Sequence, residues 1–207
     1  MSQKGKFISL EGGEGVGKST QVRALAEALG GLGIDVLVTR EPGGSEGAER
    51  IRELLLGRAN DWSASAEALL FAAARADHVE KLIAPALASG RWVLCDRFVD
   101  SSLAYQGGAG ELGIDAVRAI NRFAIGDVMP DRSLVLHSEQ GAKRASERDA
   151  GASDAIGGRS DDYHRQVDGA FRSLAADEPQ RVRLIDASGS REEVTQRLID
   201  AIRDLLP

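Results

Sequence analysis

The sequence predicts an α/β fold of three layers, in which a five-stranded parallel sheet lies between two layers of helices. Short apolar runs alternate along the chain with longer segments of helical periodicity. The apolar runs are almost continuous, which is typical of strands that are buried on both faces of a parallel sheet. A chain of 207 residues suits one such domain, so we expect residues 1–207 to form a single unit.

Five short apolar runs are the predicted strands. They are KFISL at 6–10, DVLVT at 35–39, RWVLC at 91–95, RSLVL at 132–136 and VRLID at 182–186. Each is followed by polar or glycine-rich chain. In a parallel sheet of this kind, ligands bind at the carboxyl ends of the strands.

Three segments have helical character. The segment 21–33 follows the first predicted strand, and the segment 65–90 ends at a glycine, a common stop signal. The segment 191–206 has acidic residues in its first turn and one apolar stripe. The stripe consists of Val194, Leu198, Ile202 and Leu205.

Composition excludes several classes of protein. The formal net charge of −6 and the lack of a basic run argue against a nucleic-acid-binding protein. No run approaches the roughly twenty apolar residues of a membrane span, and no signal peptide is recognisable, so we expect a soluble cytoplasmic protein. Cys95 is the only cysteine and is predicted to be a small core residue. The three histidines lack metal-ligand spacing.

A phosphate-binding loop follows the first predicted strand. The segment EGGEGVGKST at 11–20 fits the spacing G-x-x-x-x-G-K-[ST], in which backbone N–H groups and a helix N-terminus surround phosphate oxygens. Lys18 would reach the β and γ phosphates, and the Ser19 hydroxyl would bind magnesium. The residues predicted to bind the nucleotide are Gly12, Gly13, Glu14, Gly15, Val16, Gly17, Lys18, Ser19 and Thr20.

Three further clusters lie at strand ends or on the helices beside them. They are TREPGG at 39–44, LLFAAARADHV at 69–79 and CDRFVDSSLAYQGG at 95–108. A second substrate would have to meet the phosphates at this edge of the sheet.

These four motifs together, in this order and at these separations, resemble the thymidylate kinase family. The resemblance runs from about residue 5 to residue 135 and resumes in the C-terminal helices. It implies a five-stranded parallel sheet and the transfer of the γ-phosphoryl group of ATP to dTMP, giving dTDP, with Mg2+. Members of the family are usually homodimers, so the resemblance also implies a homodimer.

The resemblance implies roles for the residues of the last three clusters. Phe71 would stack on the thymine ring and Arg75, four residues later on the same helix face, would donate to a base carbonyl. Arg40, Glu41 and Pro42 would lie beside the second substrate. Further residues would contact the base or crowd the sugar: Ser101, Ser102, Tyr105 and Gln106.

Charged residues near the phosphates complete the predicted catalytic set. Arg97 suits a bidentate contact with phosphate oxygens, and Asp96 suits contact with magnesium through water. By resemblance, Arg97 contacts the phosphate of dTMP and Glu14 faces the sugar or a bound magnesium. The predicted catalytic residues are Lys18, Arg97, Arg148 and Glu14, and the predicted metal ligands are Ser19 and Asp96.

Arg148 belongs to a polar segment that we expect to form a mobile lid at about 141–162. The P-loop has no basic residue at 13–16, and bacterial members with such loops supply the compensating arginine from the lid. The chain departs from the family pattern near the lid, with His137 and Gly158 where acidic residues are common. Arg144 and Arg159 therefore remain alternatives to Arg148.

Two other functions are compatible with a P-loop. One is a kinase for another nucleoside monophosphate. The other is a regulatory switch that binds nucleotide and a protein partner, although the N-K-x-D guanine motif is absent. A panel of nucleotide substrates separates all three.

Overall fold

The computed structural model describes residues 4–57, 61–138 and 156–207. Within them lies one parallel sheet with the strand order β2-β3-β1-β4-β5. The strands are β1 Phe7–Gly12, β2 Val36–Arg40, β3 Trp92–Asp96, β4 Arg132–His137 and β5 Val182–Asp186. All five predicted strands are confirmed to within two residues. Strands β1, β3 and β4 are buried almost throughout, whereas the edge strands β2 and β5 are partly exposed.

Eight α-helices occur in the described ranges. They are α1 Lys18–Gly31, α2 Glu46–Leu56, α3 Ala64–His78, α4 Ala84–Ala88, α5 Val99–Ser102, α6 Ile114–Ile125, α7 Asp161–Asp177 and α8 Arg191–Ala201. A π-helical segment, Val79–Ile83, joins α3 to α4, so the helix predicted at 65–90 is present as one continuous helical segment. A second π-helical segment, Leu103–Ala109, follows α5.

The helices cover both faces of the sheet, as the sequence predicts. Helices α1 and α8 pack on one face, where Leu25, Leu29 and Leu198 contact sheet residues such as Leu10 and Leu134. The predicted stripe of α8 lies in this core, although the α-helix ends at Ala201 rather than at 206. The other face is covered by the remaining helices in two clusters of apolar residues. Cys95 is fully buried in one of them, as predicted.

Only part of the predicted lid falls in the described chain. Residues 156–160 form a turn and cap, and 161–162 already belong to α7, whose cap is the Ser160 side chain. Residues 141–155, with Arg144 and Arg148, lie outside the described residues. In the described ranges, no helix is both long enough and apolar enough to span a membrane.

Candidate active site

The P-loop connects β1 to α1 at the carboxyl edge of the sheet. Gly12 has φ 126°, and a Cβ there would lie 2.3 Å from the carbonyl oxygen of Leu136 on the neighbouring strand. Gly15 and Gly17 also have positive φ, which turns the chain so that α1 begins at Lys18. These glycines are therefore needed for the close approach and for the turn, and they leave the N-terminus of α1 facing the cleft.

Lys18 is buried at the base of this loop. Its Nζ donates to the carbonyl oxygens of Gly13 at 2.5 Å and Gly12 at 3.2 Å. Burial and then the nearby charge of Arg97 lower the pKa of Lys18 to about 8. Bound phosphate would favour the charged form of this amine, because it supplies negative charge where the described protein supplies mainly carbonyl oxygens.

Ser19 and Asp96 come together although they are far apart in the sequence. The Ser19 hydroxyl donates to Asp96 Oδ2 at 2.7 Å, where the start of α1 faces the end of β3. A hydroxyl and a carboxylate are oxygen ligands of the kind that Mg2+ prefers, and Mg2+ usually completes its shell with water and phosphate. The pair therefore fits the predicted magnesium site.

Arg97 links the P-loop to the segment after β3. Its Nη2 donates to Glu14 Oε1 at 2.5 Å and to the Tyr105 hydroxyl at 3.2 Å, and its Nη1 donates to the Gly12 carbonyl at 2.9 Å and to Ser101 Oγ at 3.2 Å. Burial opposes ionisation of Glu14, but the charges of Arg97 and Lys18 outweigh it and hold its pKa below the usual value. One guanidinium thus joins the four predicted site residues around it.

Arg75 is fully buried on α3 and makes four hydrogen bonds. Its Nε donates to Glu41 Oε2 at 2.7 Å, and its Nη2 donates to the Phe98 carbonyl at 3.1 Å. Its Nη1 donates to Ser102 Oγ at 3.0 Å and also to Asn121 Oδ1. Because a guanidinium carries five N–H groups, only one on Nη2 has no partner among the described residues. That remaining donor is available to a ligand in the cleft.

A buried polar chain supports Arg75 from behind. Glu41, which pairs with Arg75, also contacts His78 Nδ1 at 3.0 Å, and His78 Nε2 contacts the Thr39 hydroxyl at 2.8 Å. Glu41 and His78 are 5% and 0% exposed, so most of this chain is shielded from solvent. Arg75 is therefore a structural connection between β2, α3 and α6 as well as a candidate ligand contact.

Gln106 lines the same cleft as the P-loop. Its Nε2 donates to Glu67 Oε1 at 2.9 Å, and Glu67 also pairs with the guanidinium of Arg159. Arg159 donates to the Tyr163 hydroxyl at 2.6 Å and lies over the Tyr163 ring. In this structure Arg159, one of the three candidate lid arginines, is thus bound to α3 and α7.

Glu11, near the end of β1, is another buried carboxyl group. Glu11 is fully buried and accepts hydrogen bonds from the Phe98 N–H at 3.0 Å and the Ser101 hydroxyl at 2.6 Å. Burial and then the nearby charge of Asp100 raise the pKa of Glu11 to about 7. Glu11 therefore holds the backbone directly after Arg97.

The predicted residues meet in one cleft with a volume of about 390 Å³. Its lining includes Glu14, Gly15, Gly17, Lys18, Ser19, Thr20, Arg40, Pro42, Phe71, Arg75, Asp96, Arg97, Ser101, Ser102, Tyr105 and Gln106. Gly12, Gly13 and Val16 belong to the P-loop but do not line the cleft, and Val16 instead packs against the core.

Glu41 also lines the cleft, as expected from its place with Arg40 and Pro42 in the TREPGG motif. Three lining residues were not predicted: Arg52, Leu56 and Ile156. Arg52 and Leu56 belong to α2, a helix that the sequence analysis did not predict. Ile156 is a single apolar residue in a polar segment, and no sequence pattern identifies it.

Comparisons with known proteins agree with this geometry. The family model described as thymidylate kinase matches residues 10–198. A thymidylate kinase from Rhizorhabdus wittichii is 56% identical over 206 residues, covering 98% of this chain and 99% of the relative. One from Bradyrhizobium sp. (strain ORS 278) is 49% identical, covering 98% of this chain and 92% of the relative.

A solved structure shows the same likeness in three dimensions. The crystal structure of thymidylate kinase from Ehrlichia chaffeensis superposes with a TM-score of 0.79 at 29% sequence identity. The superposition covers 96% of this chain and 99% of that one. The similarity therefore extends over the sheet, the helices and the cleft together.

Proposed function

This chain belongs to the thymidylate kinase family, and we propose that its cleft transfers the γ-phosphoryl group of ATP to dTMP, giving ADP and dTDP. The observation that carries the proposal is the meeting of a P-loop with a polar pocket for a second nucleotide in one cleft. Another nucleoside monophosphate kinase and a nucleotide switch, the two alternatives raised by the P-loop, lose support because the family match covers nearly the whole chain.

The P-loop side of the cleft binds the ATP phosphates in this proposal. Backbone N–H groups of the loop and the start of α1 surround the phosphate oxygens, and Lys18 releases its two carbonyl partners to contact the β and γ phosphates. Ser19 and Asp96 would hold Mg2+. When bound, Mg2+ neutralises charge on the phosphates and orients them.

The base of dTMP would lie between α3 and the segment after β3. Phe71 offers an apolar ring face, and the one N–H of Arg75 without a described partner offers a directed donor to a base carbonyl. A guanidinium held by four acceptors cannot rotate away from the base. Tyr105, held against Arg97, would occupy the volume that a 2′-hydroxyl needs and so favour deoxyribose.

Arg97 would bring the two substrates together. It lies between the P-loop and Tyr105, so a phosphate of dTMP that displaced Glu14 from it would lie beside the γ-phosphate. A dTMP phosphate oxygen then forms the new P–O bond while the bond to the ADP oxygen breaks. The residues supply mainly position and positive charge, which phosphoryl transfer needs more than a base.

Several expectations from the sequence remain predictions. They are the catalytic role of Arg148, the mobile lid, the cytoplasmic location and the homodimer. For the homodimer, exposed apolar side chains on two packed helices offer a surface: Leu69 of α3 is 55% exposed and Phe123 of α6 is 95% exposed. Exposed apolar patches mark interaction surfaces, so these two side chains are candidates for the interface.

The experiment that tests the function is a panel of monophosphates with ATP and Mg2+, in which ADP formation and the phosphorylated product are both measured. We expect dTMP to give the highest kcat/KM. Higher kcat/KM for AMP or GMP would overturn the proposed substrate. ATP hydrolysis without transfer to any monophosphate would overturn the proposed reaction.

A further inference from the structure

Gln106 lines both the cleft and a second, smaller cavity. Gln106 is 3% exposed. Its Nε2 donates to Glu67 Oε1 at 2.9 Å, whereas its Oε1 accepts no hydrogen bond from the residues that the structure describes. One end of the amide therefore has a partner, whereas the other has none among the described residues.

Glu67 determines which end of the Gln106 amide lacks a partner in the described part of the protein. An amide has a donor end and an acceptor end of nearly equal size, so a glutamine beside a neutral partner can turn either end toward a ligand. An ionised carboxylate accepts hydrogen bonds and donates none. Because Glu67 can only accept, it binds the NH₂ end and leaves the carbonyl oxygen of Gln106 for the cleft.

Arg159 in turn holds Glu67. Its guanidinium pairs with Glu67 Oε2, the oxygen that Gln106 does not use. Arg159 is itself held by the Tyr163 hydroxyl, which donates to the backbone carbonyl of Tyr105 at 2.9 Å. Glu67 thus meets a guanidinium on one oxygen and an amide N–H on the other, and both partners are donors.

We propose that Glu67 and Arg159 are positioning residues that orient the Gln106 amide so that its carbonyl oxygen accepts a hydrogen bond from the N3–H of thymine. This inference rests on the proposed function. Thymine carries a proton on N3 and an oxygen at position 4, whereas cytosine has an unprotonated N3 and an amino group at position 4. A fixed acceptor at Gln106 and a fixed donor at Arg75 match thymine on both atoms and cytosine on neither.

The test replaces Glu67 with glutamine, which keeps the shape but can donate as well as accept. The two amides can then turn together, so the Gln106 carbonyl no longer faces the base in every molecule. We expect Glu67→Gln to raise KM for dTMP by about two- to tenfold, because the apparent affinity falls in proportion to the fraction of molecules in which the carbonyl faces the base. The kcat/KM ratio of dTMP to dCMP should fall, and KM for ATP should stay unchanged.

A double-mutant cycle separates positioning from general damage. In a Gln106→Ala background the amide is absent, so adding Glu67→Gln should change KM for dTMP no further. Glu46→Gln is the matched control, since Glu46 pairs with Arg50 on the exposed face of α2. Arg159→Ala, which leaves Glu67 in place, should raise KM for dTMP less than Glu67→Gln does, without lowering kcat comparably.

Three outcomes would overturn the proposal. They are an unchanged KM for dTMP in both Glu67→Gln and Arg159→Ala, an equal rise in KM for ATP, or a full additional loss in the Gln106→Ala background. Failure of the wild-type protein to phosphorylate dTMP would instead contradict the proposed function. The positioning proposal is tested by differences between variants, whereas the proposed function is tested by the activity of the wild-type protein, so the two failures are distinguishable.

Discussion

Arg97 lies where the two halves of the cleft meet, and its conformation is unusual. Its φ is 71°, a region that non-glycine residues enter at a cost. Its backbone N–H donates to the Leu10 carbonyl at 2.9 Å, and the next N–H donates to Glu11. These bonds hold the turn that directs the guanidinium toward the P-loop. The sequence identified Arg97 as a phosphate contact but contained no signal for this backbone conformation.

Lys18 is the first residue-scale prediction. Among the described P-loop residues, no other basic side chain can replace its charge, so Lys18→Ala should remove most phosphoryl transfer. The variant should still fold, because the loop backbone is held by its glycines and by Arg97. Steady-state rates together with circular dichroism measure both effects. Near-normal turnover in a folded variant would refute the P-loop assignment.

Arg75 is expected to affect stability as well as binding. Arg75→Ala leaves the buried Glu41 carboxylate without its guanidinium, so we expect the free energy of unfolding to fall by about 3–5 kcal/mol. Arg40→Ala is the matched control, because its pair with Glu49 is half exposed and contributes about 0–1 kcal/mol. Urea unfolding measures both values, and equal losses in the two variants would contradict the buried role of Arg75.

A lysine at position 75 tests the binding role separately. Arg75→Lys keeps a positive charge near Glu41 but not the planar set of donors. We expect the variant to fold and its KM for dTMP to rise, with a much smaller change in KM for ATP. Equal increases for both nucleotides would assign Arg75 a structural role alone.

Glu11 gives a prediction of pH dependence. Its pKa is raised to about 7 in the folded protein, whereas an unfolded glutamate titrates near 4.3. Between these two values the folded state holds a proton that the unfolded state has released, so this group lowers the free energy of unfolding as pH rises through the window. Above about pH 7, Glu11 is ionised in both the folded and the unfolded state, so the free energy of unfolding falls no further through this group.

The measurement compares the wild-type protein with Glu11→Gln, which cannot ionise. The difference in unfolding free energy, wild type minus variant, should decline from about pH 4.5 to about pH 7 and then level off. Other titrating groups largely cancel in this difference. A difference that is independent of pH would show that Glu11 does not titrate in this range.

At the scale of elements, the two helices that pack against α3 contribute side chains to the cleft lining and to the contacts behind it. Helix α2 supplies Arg52 and Leu56 to the lining, and α6 supplies Asn121, which binds Arg75. Neither helix was predicted from the sequence. Helix α2 is short and begins directly after the Pro-Gly-Gly turn, with Ser45 as its cap.

The lid gives the prediction at this scale. Negative charge on the transferring phosphoryl group needs positive charge beside it, and the P-loop has no basic residue at 13–16. We expect Arg148 to supply that charge. Arg148→Ala should lower kcat far more than it raises either KM, and Arg148→Lys should recover little activity. Arg144→Ala is the nearest control, and Arg159→Ala should act mainly through KM for dTMP because Arg159 pairs with Glu67.

The three single variants together decide the question. If each keeps kcat within about threefold of the wild-type value, the barrier changes by less than 1 kcal/mol. The lid arginines would then not supply the catalytic charge. A large loss of kcat in Arg144→Ala alone would move the role from Arg148 to Arg144.

At the scale of the whole molecule, the order of the strands places three segments of the active site side by side. Strand β3 lies between β1 and β2, so the P-loop, Asp96 and Arg40 occupy neighbouring strand ends. Helices α3 and α6 pack together away from the face covered by α1 and α8. That arrangement leaves the exposed Phe123 on a surface separate from the core formed by α1 and α8.

The predicted homodimer is tested on this surface. Burying a phenylalanine side chain contributes about 1.5–3 kcal/mol, so Phe123→Asp should shift the protein toward the monomer in sedimentation velocity. Leu32→Asp is the matched control, because Leu32 is 60% exposed at the end of α1 on the other sheet face. A wild-type protein that sediments as a monomer would contradict the homodimer itself.

The sequence by itself determined the five strands, the P-loop and most of the side chains that line the cleft. These features depend on local patterns, namely apolar runs, glycine spacing and short motifs, which are read without knowing how distant segments pack. Tertiary structure decided the partners of those side chains. Arg75 meets Glu41 across 34 residues, Gln106 meets Glu67 across 39 and Arg159 meets Glu67 across 92. Each contact depends on how separate helices and strands pack against one another, and a hydrogen bond between residues so far apart leaves no periodic trace in the chain.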